Sequence, residues 1–302
     1  MVFSTVIKYR SLHVGVRCGL RYHPVNRDAT VERVIEPGAS KRNFWRRLIQ
    51  SRHLITHMAL NDIRVRYKQT YLGLGWAIVH PLMSIIIFTL VFDRLARLPT
   101  VGEAPYPLVV FAGLLPWYFF AQSLTAISNS IIAERELITG VQFARLVLPL
   151  KSLAVAGHNA IIAFVILLIG LLAYGYLPDW RFFFLPFFML FAGLSALAVG
   201  LWIAVLNVRY RDFQYLVPYF LQLGMYISPV GFSTSIVPAK WRFWYSLNPM
   251  VNVIDGSRWS LFRGGAYVQF EATMVSFSVV LLLVWFGLWY FRRAEGTLAD
   301  HI

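Results

Sequence analysis

The feature that most constrains this chain is a set of six long stretches that contain no Asp, Glu, Lys or Arg. A hydrocarbon core roughly 30 Å thick is crossed by about 20 helical residues, and every stretch reaches that length. The stretches are also too long and too rich in Leu, Ile and Phe for barrel strands, so helices must satisfy the backbone. The six predicted spans are 69–92, 104–133, 152–178, 182–208, 213–239 and 272–291.

Composition supports a membrane environment for these stretches. Apolar residues make up 58% of the 302 residues and charged residues 14%, and the mean hydropathy is positive. A soluble domain of this length cannot bury so much apolar surface. We therefore predict an all-α integral membrane protein whose six-helix transmembrane domain covers 69–292.

The positions of Lys and Arg predict the orientation. Basic residues near the ends of spans are retained on the cytoplasmic side, and six spans place both termini on one side. Most of the 28 Lys and Arg residues precede the first span or fall in the loops that share its side. We predict a multi-pass protein of the cytoplasmic (inner) membrane with both termini in the cytoplasm. The net charge of +14 is then mostly topological, and no nucleic-acid partner is expected.

Two segments precede the spans. Residues 1–35 lack sustained periodicity and contain the one cysteine, Cys18, so they are interpreted as a disordered cytoplasmic leader or as the product of an upstream start codon. Residues 36–68 show polar residues at helical spacing opposite an apolar side, which predicts a basic amphipathic helix in the headgroup plane, in contact with membrane lipids. A solvated helix with an incidental apolar stripe is the alternative. The polar positions are Arg46, Gln50, His53, His57, Asn61, Arg64 and Lys68.

A basic cluster leads directly into the first span. Arg64, Arg66 and Lys68 surround Tyr67 at the expected cytoplasmic headgroup level. Arginine side chains match phosphate oxygens in geometry and charge, so the cluster is a candidate entrance for a lipid diphosphate. The equally weighted alternative is a positive anchor that only fixes the orientation of the span.

Several kinds of chemistry are missing from the sequence. No G-x-x-x-x-G-K-[ST] phosphate loop occurs, so the energy for any transport must come from a separate ATPase. No carboxylate lies inside a predicted span, which disfavours proton- or sodium-driven transport, and no His and carboxylate set has metal-ligand spacing. His158 and Asn159 are expected to bond between helices. We predict no cofactor, no metal and no catalytic residue on this chain.

Five ordered motifs carry a resemblance to a known family. They read NDIRVRYKQTYLGLGW, PYPLVVFAGLLPWYFF, LITGVQFARLVLPLKSL, ALAVGLWIAVLNVRYRDFQYLVPYFLQ and LNPMVNVIDGSRW, and the similarity runs from about Val34 to the C-terminus. In this order they resemble the permease subunits of type-2 ABC exporters of lipid-linked polysaccharides, such as O-antigen, capsule and teichoic acid. The resemblance implies an assembly of two copies of this chain with two ATPase subunits that hold ATP and magnesium. It also implies an undecaprenyl-type lipid-linked polysaccharide as substrate, with O-antigen as the favoured cargo.

The resemblance also implies roles for particular residues. The loop 131–150 contains a predicted short helix ending at Gly140, and in similar permeases this helix docks on the ATPase; an ordinary polar turn is the alternative. The segment 229–265, between spans five and six, contains an apolar stretch too short to span and is expected to form outer re-entrant gate helices, with a static aromatic belt as the alternative. The expected ATPase-coupling residues are Glu134, Arg135, Glu136, Leu137 and Ile138. The expected gate residues are Trp244, Tyr245, Asn248 and Pro249.

Aromatic residues are candidates for a channel lining, because their faces stack on the C–H surfaces of sugars without fixing one hydroxyl pattern. Aromatic belts at headgroup level are the alternative for any one of them. The expected lining residues are Tyr71, Trp76, Trp117, Tyr118, Phe119 and Phe120.

Two rival functions remain at this stage. A small-molecule or drug exporter of the same superfamily would share the architecture. A membrane glycosyltransferase or polymerase would need catalytic carboxylates or a metal site at the membrane surface, for which Asp179 and Asp255 are the outer candidates. The residues after the sixth span, 293–302, are predicted to form a cytoplasmic tail.

Overall fold

The computed structural model describes residues 48–68, 73–95, 104–140, 143–177, 179–262 and 270–295. All of them belong to one compact unit, Asn43–Ile302. The predicted leader 1–35, the first part of the amphipathic segment and most of the predicted tail lie outside the described residues. Within the described ranges every regular element is helical, which confirms the predicted all-α class.

Ten α-helices are described. In chain order they are α1 Arg52–Lys68, α2 Gly73–Phe88, α3 Tyr106–Ala133, α4 Arg135–Gly140, α5 Val147–Ala173, α6 Leu185–Arg209, α7 Phe213–Ile227, α8 Ala239–Tyr245, α9 Pro249–Leu261 and α10 Phe270–Ala294. A π-helical segment, Thr89–Leu95, continues α2. Two 3-10 turns, Trp180–Phe184 and Thr234–Ile236, precede α6 and α8.

Among the described residues, four helices are long and apolar enough to cross a membrane. They are α3, α5, α6 with its preceding 3-10 turn, and α10, and they match the second, third, fourth and sixth predicted spans. The most apolar stretches of α3 and α6 are 67% and 61% buried within the chain, against 22% for α5 and α10. The first two therefore form the centre of the bundle, and the other two leave most of their apolar surface outward.

The observed bounds of α5 correct the predicted third span, 152–178. The helix begins earlier, at Val147, and so includes Lys151, whose charge two carboxylates neutralise. It ends at Ala173 because Gly175 adopts a left-handed φ of 67°. The amides of Gly175 and Tyr176 donate to the carbonyls of Leu172 and Leu171, which is the Schellman pattern of a helix end.

The predicted fifth span, 213–239, is wrong in its second half. The helix α7 ends at Ile227, Ser228 is extended with ψ 151°, and Pro229 follows. Proline cannot donate the backbone hydrogen bond that would continue a helix. A search for uncharged stretches does not detect this stop. The first predicted span, 69–92, corresponds to α2, which contains Pro81, and its π-helical continuation; residues 69–72 lie outside the described residues.

The bundle has two ends. The α9 end contains the start of α3, the helices α8 and α9, and the start of α10; the α4 end contains the end of α3, the helix α4, the start of α5 and the ends of α6 and α10. At the α4 end, Asn207 donates to the carbonyl of Ser128 at 3.1 Å and to the amide oxygen of Asn129 at 2.9 Å. Arg145 bonds there to Glu295 through its backbone amide and its guanidinium.

The helix α9 lies inside the bundle instead of on its surface. It packs against both α3 and α6, and nearly all of its residues are buried. Gly256 lies so close to the ring of Phe188 that a Cβ atom there would overlap the ring. With 13 residues, α9 is about 20 Å long and too short to cross a bilayer.

Candidate functional site

The helix predicted for ATPase coupling is present and ends at Gly140 as predicted. Its two predicted charged residues, Arg135 and Glu136, are exposed. Ile138 is instead buried in the apolar cluster of the α4 end, and Leu137 packs against the same cluster. The surface that α4 offers to another molecule is therefore charged, while its apolar side attaches it to its own chain.

Glu134, the first predicted coupling residue, belongs to a three-residue ion network. The ammonium of Lys151 contacts a carboxylate oxygen of Glu134 at 2.5 Å and one of Asp62 at 2.8 Å. Lys151 is only 5% exposed, so its charge depends on these two partners. The network joins α1, the junction before α4, and the fifth residue of α5.

The apolar side of α1 packs on the protein. Ala59 is buried, and Ile55 and Met58 pack against the cluster of the α4 end. Other apolar side chains of this helix, such as Leu60 and Val65, are exposed.

The predicted diphosphate cluster is divided between two sides of α1. Residues two positions apart on a helix point about 200° apart, so Arg66 faces away from Arg64 and Lys68. All three are exposed, but Arg66 shares its side with Asp62, one turn earlier, and both line a cavity. Residue Tyr71 and the side chains of Tyr67 and Trp76 lie outside the described residues.

This cavity has a volume of about 570 Å³ and lies between α1, α3 and α5. Its walls combine small apolar residues with amide, hydroxyl and charged side chains. Asn159 donates to the amide oxygen of Gln122 at 3.0 Å across the cavity wall, which confirms the predicted helix-to-helix bond for Asn159. The polar lining residues are Asp62, Arg66, Gln122, Thr125, Asn129, Ser130, Glu134, Lys151, Ser152 and Asn159.

The four predicted lining aromatics of α3 pack between helices. Trp117 is 4% exposed and lies against Gly224 of α7, and the hydroxyl of Tyr118 donates to Ser84 at 2.5 Å. Phe119 lies against Gly193 of α6, and Phe120 packs against Trp117 with 5.6 Å between ring centroids. None of these four rings is among the exposed side chains.

A tyrosine face on α7 was missed by the sequence reasoning. Tyr215, Tyr219 and Tyr226 are 80%, 58% and 63% exposed. Their spacing of four and seven residues places them on one side of the helix. That spacing in an uncharged helix is the sequence signal that could have revealed the face.

The predicted gate residues lie at the α9 end. Asn248 caps α9 by accepting from the amide of Met250 at 3.1 Å, and Pro249 takes the first helical position. The hydroxyl of Tyr245 donates to the carbonyl of Ile227 at 2.7 Å, which joins α8 to the end of α7. Trp244 is 64% exposed. The structure thus has two short helices in this segment, linked to α7.

Arg258 is a buried residue that the sequence reasoning did not single out. Its guanidinium donates to the carbonyls of Val109 at 3.2 Å, Phe232 at 2.8 Å and Val230 at 2.5 Å. Gly113 leaves room for it, since a Cβ there would lie 2.7 Å from the guanidinium. One arginine of α9 therefore holds the start of α3 and the chain that follows α7.

The two carboxylates of the glycosyltransferase alternative have separate surroundings. Asp255 accepts from Thr234 and lies 3.9 Å from Arg258. Burial raises the pKa of Asp255 to about 6, although Arg258 and Thr234 act in the opposite direction. Asp179 caps the 3-10 turn before α6 by accepting from the amide of Trp180 at 2.7 Å. Each thus bonds to its own local structure.

The chain is similar in sequence to known transport proteins. The chain is similar over 261 residues to the O-antigen export system permease protein RfbA of Myxococcus xanthus, with 27% identity, 85% of this chain and 98% of that protein covered. An RfbA of Klebsiella pneumoniae is 25% identical over 82% of this chain and 94% of its own length. The polysialic acid transport protein KpsM of Escherichia coli is 24% identical, with 78% and 91% covered. The family model described as ABC-2 type transporter matches residues 53–262, and the chain therefore belongs to that family.

Proposed function

We propose that this chain is the membrane-spanning permease subunit of an ATP-driven exporter that moves undecaprenyl-type lipid-linked polysaccharide, specifically O-antigen, across the cytoplasmic membrane. The observation that carries the proposal is the similarity, over nearly their whole length, to transport proteins named for O-antigen and for polysialic acid. The similarity to the O-antigen permeases is the higher of the two, which favours O-antigen as the cargo.

The proposed topology has six spans, with the α4 end in the cytoplasm. In addition to the four long helices, α2 with its π-helical segment would cross the membrane, and so would α7 together with the chain that follows it. The basic residues at the α4 end, such as Arg145, Arg209 and Arg292, support this orientation by the positive-inside rule.

The proposed assembly has two copies of this chain and two ATPase subunits. We assign the contact with the second copy to the exposed tyrosine face of α7, because tyrosine hydroxyls are unfavourable against lipid tails and favourable beside protein or water. Between two facing copies, the tyrosine face would line a path on which sugar rings stack. This assigns the channel lining to α7 and leaves the α3 aromatics as packing residues between helices.

In the proposed cycle, the lipid diphosphate engages α1 at Arg66, which is exposed and lines the cavity. The exposed charges of α4 dock on the ATPase, which holds ATP and magnesium. Movement of α4 reaches α1 and α5 through Glu134 and Lys151. The short helices α8 and α9 at the opposite end act as the outer gate.

The test is to delete the chain in its host and to fractionate glycans by compartment, with the intact gene restored as the control. Lipid-linked polysaccharide should accumulate inside the cell and disappear from its surface, and the restored gene should reverse both changes. Normal surface glycan in the deletion strain would contradict the proposal and favour the small-molecule exporter.

A further inference from the structure

The cavity between α1, α3 and α5 carries a second inference, which rests on the proposed function. We propose that it is a binding site for sugar, and that it holds the first sugar units of the lipid-linked glycan while the diphosphate lies at Arg66. The site would distinguish glycan-bearing lipid from the bare carrier lipid before transport begins.

The first argument is the position of polar residues along two helices. On α3 the lining residues recur at steps of three and four, from Gln122 to Ala133, and on α5 they do so from Ser152 to Asn159. Gln122 and Asn159 lie roughly 16–18 Å along their helices from the α4 end, at 1.5 Å per residue. The polar wall therefore covers about two fifths of the length of α3 and α5, which have 28 and 27 residues.

The second argument is the energetic cost of that wall. Amide side chains within a membrane span are unfavourable against lipid tails, and polar residues inside a membrane usually face a polar path. Both Gln122 and Asn159 belong to predicted spans, where an apolar side chain would have a lower free energy in contact with lipid.

The third argument is the charge and size of the cavity. Two carboxylates, Asp62 and Glu134, face two cations, Arg66 and Lys151, so the lining has no net charge. Carboxylates, amides and hydroxyls bond to sugar hydroxyls, and alanines such as Ala126 leave room for flat C–H faces. A volume of about 570 Å³ lies within the usual range of roughly 300–1,000 Å³ for small-ligand sites.

The test compares two lipids on the purified transporter, assembled with its ATPase. Undecaprenyl diphosphate bearing a trisaccharide and undecaprenyl diphosphate without sugar are titrated, and binding is measured by native mass spectrometry. The wild type should bind the sugar-bearing lipid more tightly. The double variant Gln122→Leu with Asn159→Leu keeps the side-chain size and should lose that preference, weakening the sugar-bearing lipid about tenfold and leaving the bare lipid unchanged.

Two further variants protect the test against a folding defect. Ala126→Phe should fill the cavity and reduce the preference in the same way. Ser278→Leu changes an exposed polar residue of α10 that does not line the cavity, and it should behave as wild type.

The possible outcomes separate the two proposals. If the wild type prefers the sugar-bearing lipid and the double variant and Ala126→Phe keep that preference, the cavity inference is overturned and the export proposal stands. Equal losses for both lipids would show that the cavity binds carrier lipid, which also overturns the inference. If the wild type binds neither lipid, both proposals fail.

Discussion

The two ends of the bundle stabilise a buried positive charge in different ways. At the α4 end, Lys151 depends on two carboxylate side chains, which are 40% and 29% exposed. At the α9 end, Arg258 is 1% exposed and donates to three backbone carbonyls from two other parts of the chain. Side-chain partners near solvent can separate and exchange with water, whereas backbone acceptors move only with their segments. We infer that the α4 end can rearrange at low cost and that the α9 end moves as one piece.

The largest effect is expected from Arg258→Met. This variant leaves three carbonyls and Asp255 without their cation, and breaking a buried charge network typically costs about 3–5 kcal/mol of the free energy of unfolding. Thermal unfolding of the purified protein measures the loss. The control is Arg242→Met, since Arg242 donates to Val237 at 2.8 Å and Ser235 at 3.0 Å but is only partly buried. An equal loss of unfolding free energy in the two variants would show that the cost does not depend on how deeply the arginine is buried.

The next effect is a pH dependence of stability at the α9 end. Because the folded-state pKa of Asp255 is raised from 3.8 to about 6, the folded state binds a proton more readily than the unfolded state. This group's contribution therefore falls as pH rises from about 4 to 6, by no more than about 3 kcal/mol. The groups that face it are Arg258 and Tyr245. Asp255→Asn should flatten the stability profile over this window, and an unchanged slope would count against the raised pKa.

A smaller and local effect is expected from Lys151→Met. The carboxylates of Asp62 and Glu134 lose their shared partner, but both reach solvent, so we expect a loss of about 1–3 kcal/mol. Hydrogen exchange should accelerate in α1 and leave α9 unchanged. Arg209→Met, at an exposed position of the same end, should change neither. Faster exchange throughout the bundle would show that the α4 end is as rigidly coupled as the α9 end.

The smallest effect on stability is expected from reversing two exposed charges of α4. Arg135→Glu with Glu136→Lys should change the free energy of unfolding by less than about 0.5 kcal/mol. If α4 docks on the ATPase, the same variant should reduce co-purification of that partner. Lys240→Glu, an exposed charge of the α9 end, is the control and should leave co-purification intact. Full co-purification of the α4 variant would oppose docking there.

Sequence patterns predicted the helices best where one physical rule dominates. Uncharged stretches located the helices α3, α5, α6 and α10, because a lipid environment leaves no other means of satisfying the backbone. The same rule extended the fifth span past Ile227, because a stop made by Ser228 and Pro229 carries no charge. It also started the third span after Lys151, because the rule treats every lysine as exposed.

Residue roles were harder to predict than helices. The aromatic cluster at Trp117 was predicted to line a channel, but its side chains pack between helices. The tyrosines of α7 were not predicted to have a role, but they are exposed. Composition cannot separate these cases, since the difference depends on which side of each helix meets another helix. The basic cluster on α1 shows the same limit, because Arg66 and Arg64 are close in sequence and point to different sides.

The sequence by itself determined the membrane class, the long apolar helices, the short helix before Gly140 and the resemblance to a permease family. These properties depend on local composition, on spacing and on ordered motifs. The tertiary structure alone decided which partners the buried charges contact. Lys151 contacts the carboxylate of Asp62. Arg258 donates to the carbonyl of Val109, which lies 149 positions away in the sequence. A buried charge is stable only beside its partners, and those partners are brought to it by helix packing, which no local pattern encodes.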